Sequence, residues 1–191
     1  MVGRGSCARG EPCGDPSSGC RSDFDLFCDR SGFGSAGGLR VSLALHAVSH
    51  IGLCVSDLEV SLCFYRDLLG FRERDRLEVQ GDLASRLLQL ADVDLVAVYL
   101  ERDGLTLELL HYRNPESVAG ERARPMHQHG FTHLSLQAED PSAVLGGFRD
   151  AGVEVLESTI VKVGDVVVAF LLRDPDGQTL EITAARKPAR D

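Results

Sequence analysis

From residue 45 onward the chain alternates between apolar stretches of strand length and one-sided apolar faces at helical spacing, punctuated by Gly, Asp and Pro. Leu45–Val55 combines Leu and Val with partial alternation and predicts a strand. Asp57 then offers a helix N-cap, and Leu58, Leu62, Tyr65 and Leu69 follow at spacings of three or four, with Gly70 as the stop. Phe71–Val79 and Val93–Glu101 predict two further strands, and Asp103-Gly104 turns the chain into a fourth, Leu105–Tyr112. The order is βαβββ.

The order then returns. Phe131–Ala138 reads as extended and Pro141–Ala151 as a helix behind an Asp140 cap, with strands expected at Val153–Val161, Val166–Arg173 and Gln178–Ala184. In Asp174-Pro175-Asp176-Gly177, Pro presets φ and Gly accepts the positive φ that re-enters a strand, a hairpin signal. The copies also match residue by residue. His50-Ile51-Gly52-Leu53-Cys54-Val55-Ser56-Asp57 reappears as His133-Leu134-Ser135-Leu136-Gln137-Ala138-Glu139-Asp140, and Gly104-Leu105-Thr106-Leu107-Glu108 as Gly177-Gln178-Thr179-Leu180-Glu181. Two copies are too few for a solenoid. An α+β domain of two tandem βαβββ modules is expected over residues 45–186, with module one at 45–112, a linker at 113–129, module two at 130–186 and a tail at 187–191.

Composition narrows the function classes. The 191 residues are 43% apolar, enough for one substantial core. The longest apolar runs, Asp94–Leu100 and Val166–Leu172, fall well short of the roughly 20 residues a bilayer requires, so no membrane partner is expected. The net charge of −9 lies wholly after residue 45, which argues against nucleic acid. A cytoplasmic location is the corresponding expectation. Residues 1–44 differ in kind: Gly, Ser and Arg dominate, periodic apolar positions are few, and Cys7, Cys13, Cys20 and Cys28 are too widely spaced for close-paired zinc knuckles. A disordered extension is expected there, with the folded protein beginning near Leu43 and the segment before it not translated in the cell. A native intact mass that includes Met1 would overturn that last point.

Each module offers one His and one Glu at matched positions: His50 and Glu108, then His133 and Glu181. Taken singly, a His at a strand start is more often a packed residue, and a strand Glu usually faces solvent. Four at repeat-related positions point instead to one divalent metal held where the modules meet. Two neutral imidazoles and two carboxylates neutralise the ion and leave positions open; mixed N and O ligation admits Ni, Co, Zn, Mn or Fe. Such an ion stabilises an enediolate, easing removal of a proton next to a carbonyl, with a Glu as base. Glu181 is the favoured base and Glu108 its mirror-related partner. His111, His127 and His129 are weaker candidates, Tyr112 and Arg173 flank the Glu strands, and Cys54 and Cys63 read as small core residues.

With His at a strand start, Phe64-Tyr65-Arg66-Asp67-Leu68-Leu69-Gly70-Phe71 closing the helix and Asp174-Pro175-Asp176-Gly177 leading to Leu180-Glu181, residues 46–185 resemble the vicinal oxygen chelate superfamily of glyoxalases, dioxygenases and bleomycin resistance proteins. The resemblance implies paired βαβββ modules forming a cupped open sheet around a metal, and it places the ligands on His50, Glu108, His133 and Glu181. That set is similar to bacterial glyoxalase I, whereas methylmalonyl-CoA epimerases tend to have Gln where Glu108 stands. It implies a metal-dependent lyase or isomerase acting on a small oxygen-chelating substrate, and a homodimer. Tyr112 stands where glyoxalase I often has an Asn that serves glutathione, so an acyl-CoA substrate of the epimerase kind is an alternative. Two others are an Fe(II) dioxygenase using His50, His133 and Glu181, and a metal-free resistance-type binding protein.

Overall fold

The computed structural model describes residues 44–120 and 124–185. The expected disordered extension, its cysteines and the tail lie outside the described residues. The elements are β1 (Ile51–Cys54), α1 (Leu58–Leu62), β2 (Arg72–Gln80), α2 (Asp82–Leu88), β3 (Asp94–Arg102), β4 (Leu105–Asn114), β5 (Leu134–Ala138), α3 (Pro141–Asp150), β6 (Val161–Val163), β7 (Val166–Arg173) and β8 (Thr179–Ala184). They form two four-stranded mixed sheets of the same topology, β1-β4-β3-β2 and β5-β8-β7-β6, as an α+β duplication requires. In each, the first strand runs parallel to the last and the remaining pairs are antiparallel.

Local chemistry explains the helix bounds. The Asp57 carboxylate accepts from the Val60 amide at 3.0 Å, and Asp140 accepts from Ser142 and Ala143 at 3.0 and 3.1 Å, capping α1 and α3. Helix α1 widens into a π-helical segment over Cys63–Leu68, and Gly70, at φ +73°, ends it. The expected face of Leu58, Leu62, Tyr65 and Leu69 is the buried one. It shares one continuous core with Val98, Leu100, Leu107 and Leu109 of the first sheet, Leu145 and Phe148 of α3, and Phe170, Leu172, Leu180 and Ile182 of the second sheet. The Asp103-Gly104 turn has both residues at positive φ, 51° and 80°, and pairs Arg102 with Leu105.

Several expected boundaries move. The strand expected from Leu45 begins only at Ile51, because its partner β4 starts at Leu105, immediately after the turn, and the register places Val48 beyond that end, where it is exposed. For the same reason the stretch from Phe131 becomes a strand only at Leu134, since β8 begins at Thr179 after its own turn. The strand expected at Val153–Val161 reduces to a single bridge, Val155 to Leu172, a 3-10 turn at Glu157–Thr159 and the short β6. Thr159 is the cause: its hydroxyl donates to the Leu156 carbonyl at 2.7 Å and accepts from the Leu171 amide at 2.9 Å, replacing a ladder bond. Helix α2 was not foreseen, and β4 runs two residues into the expected linker, to Asn114. Cys54 and Cys63 are exposed and not core residues, because β-alternation and the helical face respectively turn them outward.

One polar link crosses the core. Tyr65, 1% exposed, donates its hydroxyl to Asp174 Oδ2 at 2.8 Å, and Asp174 Oδ1 accepts from the amides of Asp176 and Gln178 at 3.0 and 2.7 Å. The Ser56 amide reaches the Asp176 carboxylate at 3.2 Å, so the module-two turn is tied to the module-one helix and its entry. Burial raises the Asp174 pKa, partly offset by the Tyr65 bond, and burial followed by the Asp174 charge pushes the Tyr65 phenol well above its ordinary value. Tyr65→Phe is expected to cost about 2 kcal/mol in a denaturant titration near neutral pH, since it leaves a buried carboxylate oxygen unsatisfied. Losing that bond raises the Asp174 pKa further. The deficit should therefore shrink as pH falls through the raised pKa and grow as pH rises through it.

Candidate metal centre

Strand register builds two matched His–Glu pairs. The parallel ladder sets Gly52 opposite Glu108 in the first sheet and Ser135 opposite Glu181 in the second. His50 and His133 each stand two residues ahead of those positions, so period-2 alternation puts each imidazole on its Glu's face, one diagonal step away. His50 Nε2 lies 3.1 Å from Glu108 Oε2, and His133 Nε2 lies 3.5 Å from Glu181 Oε2. Two donors bound to one ion at about 2.1 Å, at right or tetrahedral angles, are separated by about 3.0–3.4 Å. The donor types suit a divalent ion at either pair; the 3.1 Å spacing of His50 and Glu108 lies within that range, and the 3.5 Å of His133 and Glu181 just beyond it.

The other ring nitrogen is also treated alike. His50 Nδ1 is 3.0 Å from the Ser49 hydroxyl and His133 Nδ1 is 2.9 Å from the Thr132 hydroxyl. A hydroxyl accepting from Nδ1–H leaves the Nε2 lone pair for a cation, the arrangement metal-binding imidazoles use.

The carboxylates differ. Glu108 Oε1 accepts from the Tyr99 hydroxyl, and Tyr99 stands directly opposite on β3 with its ring edge-on to His50, centroids 5.5 Å apart. Hydrogen bonding to Glu108, then burial, pushes the Tyr99 phenol up to about 12, so it stays a proton donor. At the same place in module two stands Leu171, and Glu181 instead accepts from Ser135 at 2.7 Å through Oε2, the oxygen that also faces His133. Side-chain exposure follows: 13% for Glu108 against 32% for Glu181.

The structure thus joins His50 to Glu108 and His133 to Glu181. It does not join the pairs to each other. Among the described residues no group of three or more His, Cys, Asp or Glu side chains gathers into a metal-binding cluster, and this covers the His50, His133, Glu181 triad as well. Alternation turns His111 to the other face of β4 from Glu108. His127 and His129 are exposed in a loop where the Arg124 guanidinium donates to the carbonyls of Gln128, His129 and Phe131. Arg173 is engaged by the Gly177 carbonyl at 2.8 Å and by Glu154 at 3.6 Å, and so braces the turn. Tyr112 shares the Glu108 face and packs with Leu95, Ala97 and Leu110 in a second apolar cluster that Tyr99 joins to the His–Glu pair.

The model of the glyoxalase/bleomycin resistance protein/dioxygenase superfamily matches residues 47–182. The chain belongs to that superfamily. A protein of Synechocystis sp. named as a probable lactoylglutathione lyase is 32% identical over 142 residues, 72% of this chain and 96% of the relative. Among solved structures, a glyoxalase family protein from Bacillus cereus superposes with a TM-score of 0.64 at 16% identity, over 78% of this chain and 98% of the other. One from Enterococcus faecalis gives 0.53 at 18% identity, over 74% and 99%. At these identities the two structures attest the fold, a pair of βαβββ modules. Among the described residues of this superfamily member, no helix is long and apolar enough to cross a membrane.

Proposed function

We propose that the protein is a metal-dependent, glyoxalase-like lyase or isomerase that works as a homodimer, with His50 and Glu108 of one copy and His133 and Glu181 of the other holding one divalent ion. The observation that carries this is the repeated pair: the same two donors, at the same register, 3.1 and 3.5 Å apart in the two modules, yet unjoined within one chain among the described residues. Each pair has half a ligand set, and a second copy supplies the rest without changing either sheet. The name of the Synechocystis relative supports a lyase over a protein that only binds.

When bound, the ion supplies Lewis-acid stabilisation of negative charge on adjacent substrate oxygens. The chain supplies the rest. Glu181, the more exposed carboxylate, takes the proton from the carbon beside the carbonyl and returns it to the neighbouring carbon of the enediolate. Ser135 holds Glu181 Oε2 at 2.7 Å and leaves Oε1 for that transfer. The apolar surface of Leu95, Ala97, Leu110 and Tyr112 borders the His50–Glu108 end and limits access of water.

Two outcomes are expected. Elemental analysis should find about one Ni, Co, Zn, Mn or Fe per chain. The double variants His50→Ala/Glu108→Ala and His133→Ala/Glu181→Ala should each lose it, while subunit exchange between them should restore tight Ni2+ uptake to about a quarter of wild type, because half the dimers then carry one intact site of two. No uptake after exchange, with dimers shown by sedimentation, would refute the shared site. Separately, Glu181→Gln should lower the rate of lactoylglutathione formation by about 10²–10⁴-fold. An unchanged rate would remove Glu181 from the role of base.

A further inference from the structure

The two modules repeat their ligands but not what holds them, and Tyr99 is where they part. Its hydroxyl takes Glu108 Oε1 while His50 Nε2 faces Oε2, so one carboxylate oxygen is tied and the other is aimed at the imidazole. The same ring stands at 75° against His50, with centroids 5.5 Å apart, so one side chain touches both module-one donors. Its own position is fixed from below by the second apolar cluster, in which it packs with Leu95, Ala97, Leu110 and Tyr112. Module two has no equivalent: Leu171 occupies the matching register and has no polar group to offer.

We infer that Tyr99 is a positioning residue that holds His50 and Glu108 in ligand geometry before the ion arrives, making module one the preset half of the metal site. The residues opposite the two carboxylates differ as well: Gly52 offers Glu108 no side chain, whereas its counterpart Ser135 hydrogen bonds Glu181 at 2.7 Å. A donor preset in its bound arrangement loses less freedom on capture of the ion, and outer partners of ligands commonly govern affinity this way.

The inference rests on the metal reading proposed above, and the test separates the two. Full-length wild type, Tyr99→Phe and Ser135→Ala would be titrated with Ni2+ by calorimetry, with the melting temperature of each metal-free protein measured alongside. Tyr99→Phe keeps the ring against His50 and removes only the hydroxyl. Its Ni2+ affinity is expected to fall about 10–100-fold with the metal-free melting temperature unchanged and with a smaller loss in Ser135→Ala. Tyr99→Phe that binds Ni2+ as tightly as wild type overturns the inference and leaves the metal reading standing. So does a melting temperature that falls with the affinity, since Tyr99 would then be supporting the sheet. Wild type that takes up no Ni2+ overturns the metal reading, and this inference with it.

Discussion

The parallel pairing of the first and last strand of each module is the constraint on which the site depends. It is the ladder that places a His near the start of one strand one diagonal step from a Glu on its neighbour, twice, through Gly52 opposite Glu108 and Ser135 opposite Glu181. A slip of one residue in either ladder would turn that Glu into the core and bring Leu107 or Leu180 to the face of the His. The core opposes such a slip: those leucines are 2% and 1% exposed, and exchanging either for a carboxylate would bury an unpaired charge among leucines and phenylalanines. The pattern that packs the sheets is therefore the pattern that brings each His beside its Glu.

Buried polarity does a different task. The Tyr65–Asp174 link stands in a largely apolar core and, with the Ser56–Asp176 bond, ties the module-two turn to the helix of module one. Hydrophobic contact alone would let the modules slide, because it is non-directional. A hydrogen bond to a buried carboxylate has direction, and its loss strands the acceptor. The same turn launches β8, which carries Glu181, so the position of that carboxylate is referred back to module one through the turn.

Much of this was readable from the sequence, for a physical reason. Duplication doubles every signal, so His50 and His133 vouch for each other, as do Glu108 and Glu181, and the Asp-capped helices identify the modules. What duplication cannot reveal is where the copies differ. Tyr99 escaped because its counterpart is Leu171, although a count would have found it: the two-residue turn pairs Arg102 with Leu105, and stepping back along the hairpin puts Tyr99 opposite Glu108. Helix α2 escaped because Leu83 and Leu87 are 80% and 81% exposed while Ala84 and Leu88 pack inward, which gives too narrow an apolar stripe to register over seven residues. The strand ends were misjudged because Leu45, Val48 and Phe131 look strand-like, yet pairing is decided by where the partner strand begins.

That the pairs stay apart within one chain follows from the same packing. One core joins α1, α3 and a face of each sheet, and alternation puts the His–Glu pairs on the opposite faces, away from it. A second copy that meets those faces leaves the core intact. A duplicated domain that spends one face of each sheet on its own stability has the other faces left for function. On the proposed reading, an ion that takes donors from both modules is completed from outside the chain, by association that brings a module-two face to a module-one face without unfolding either.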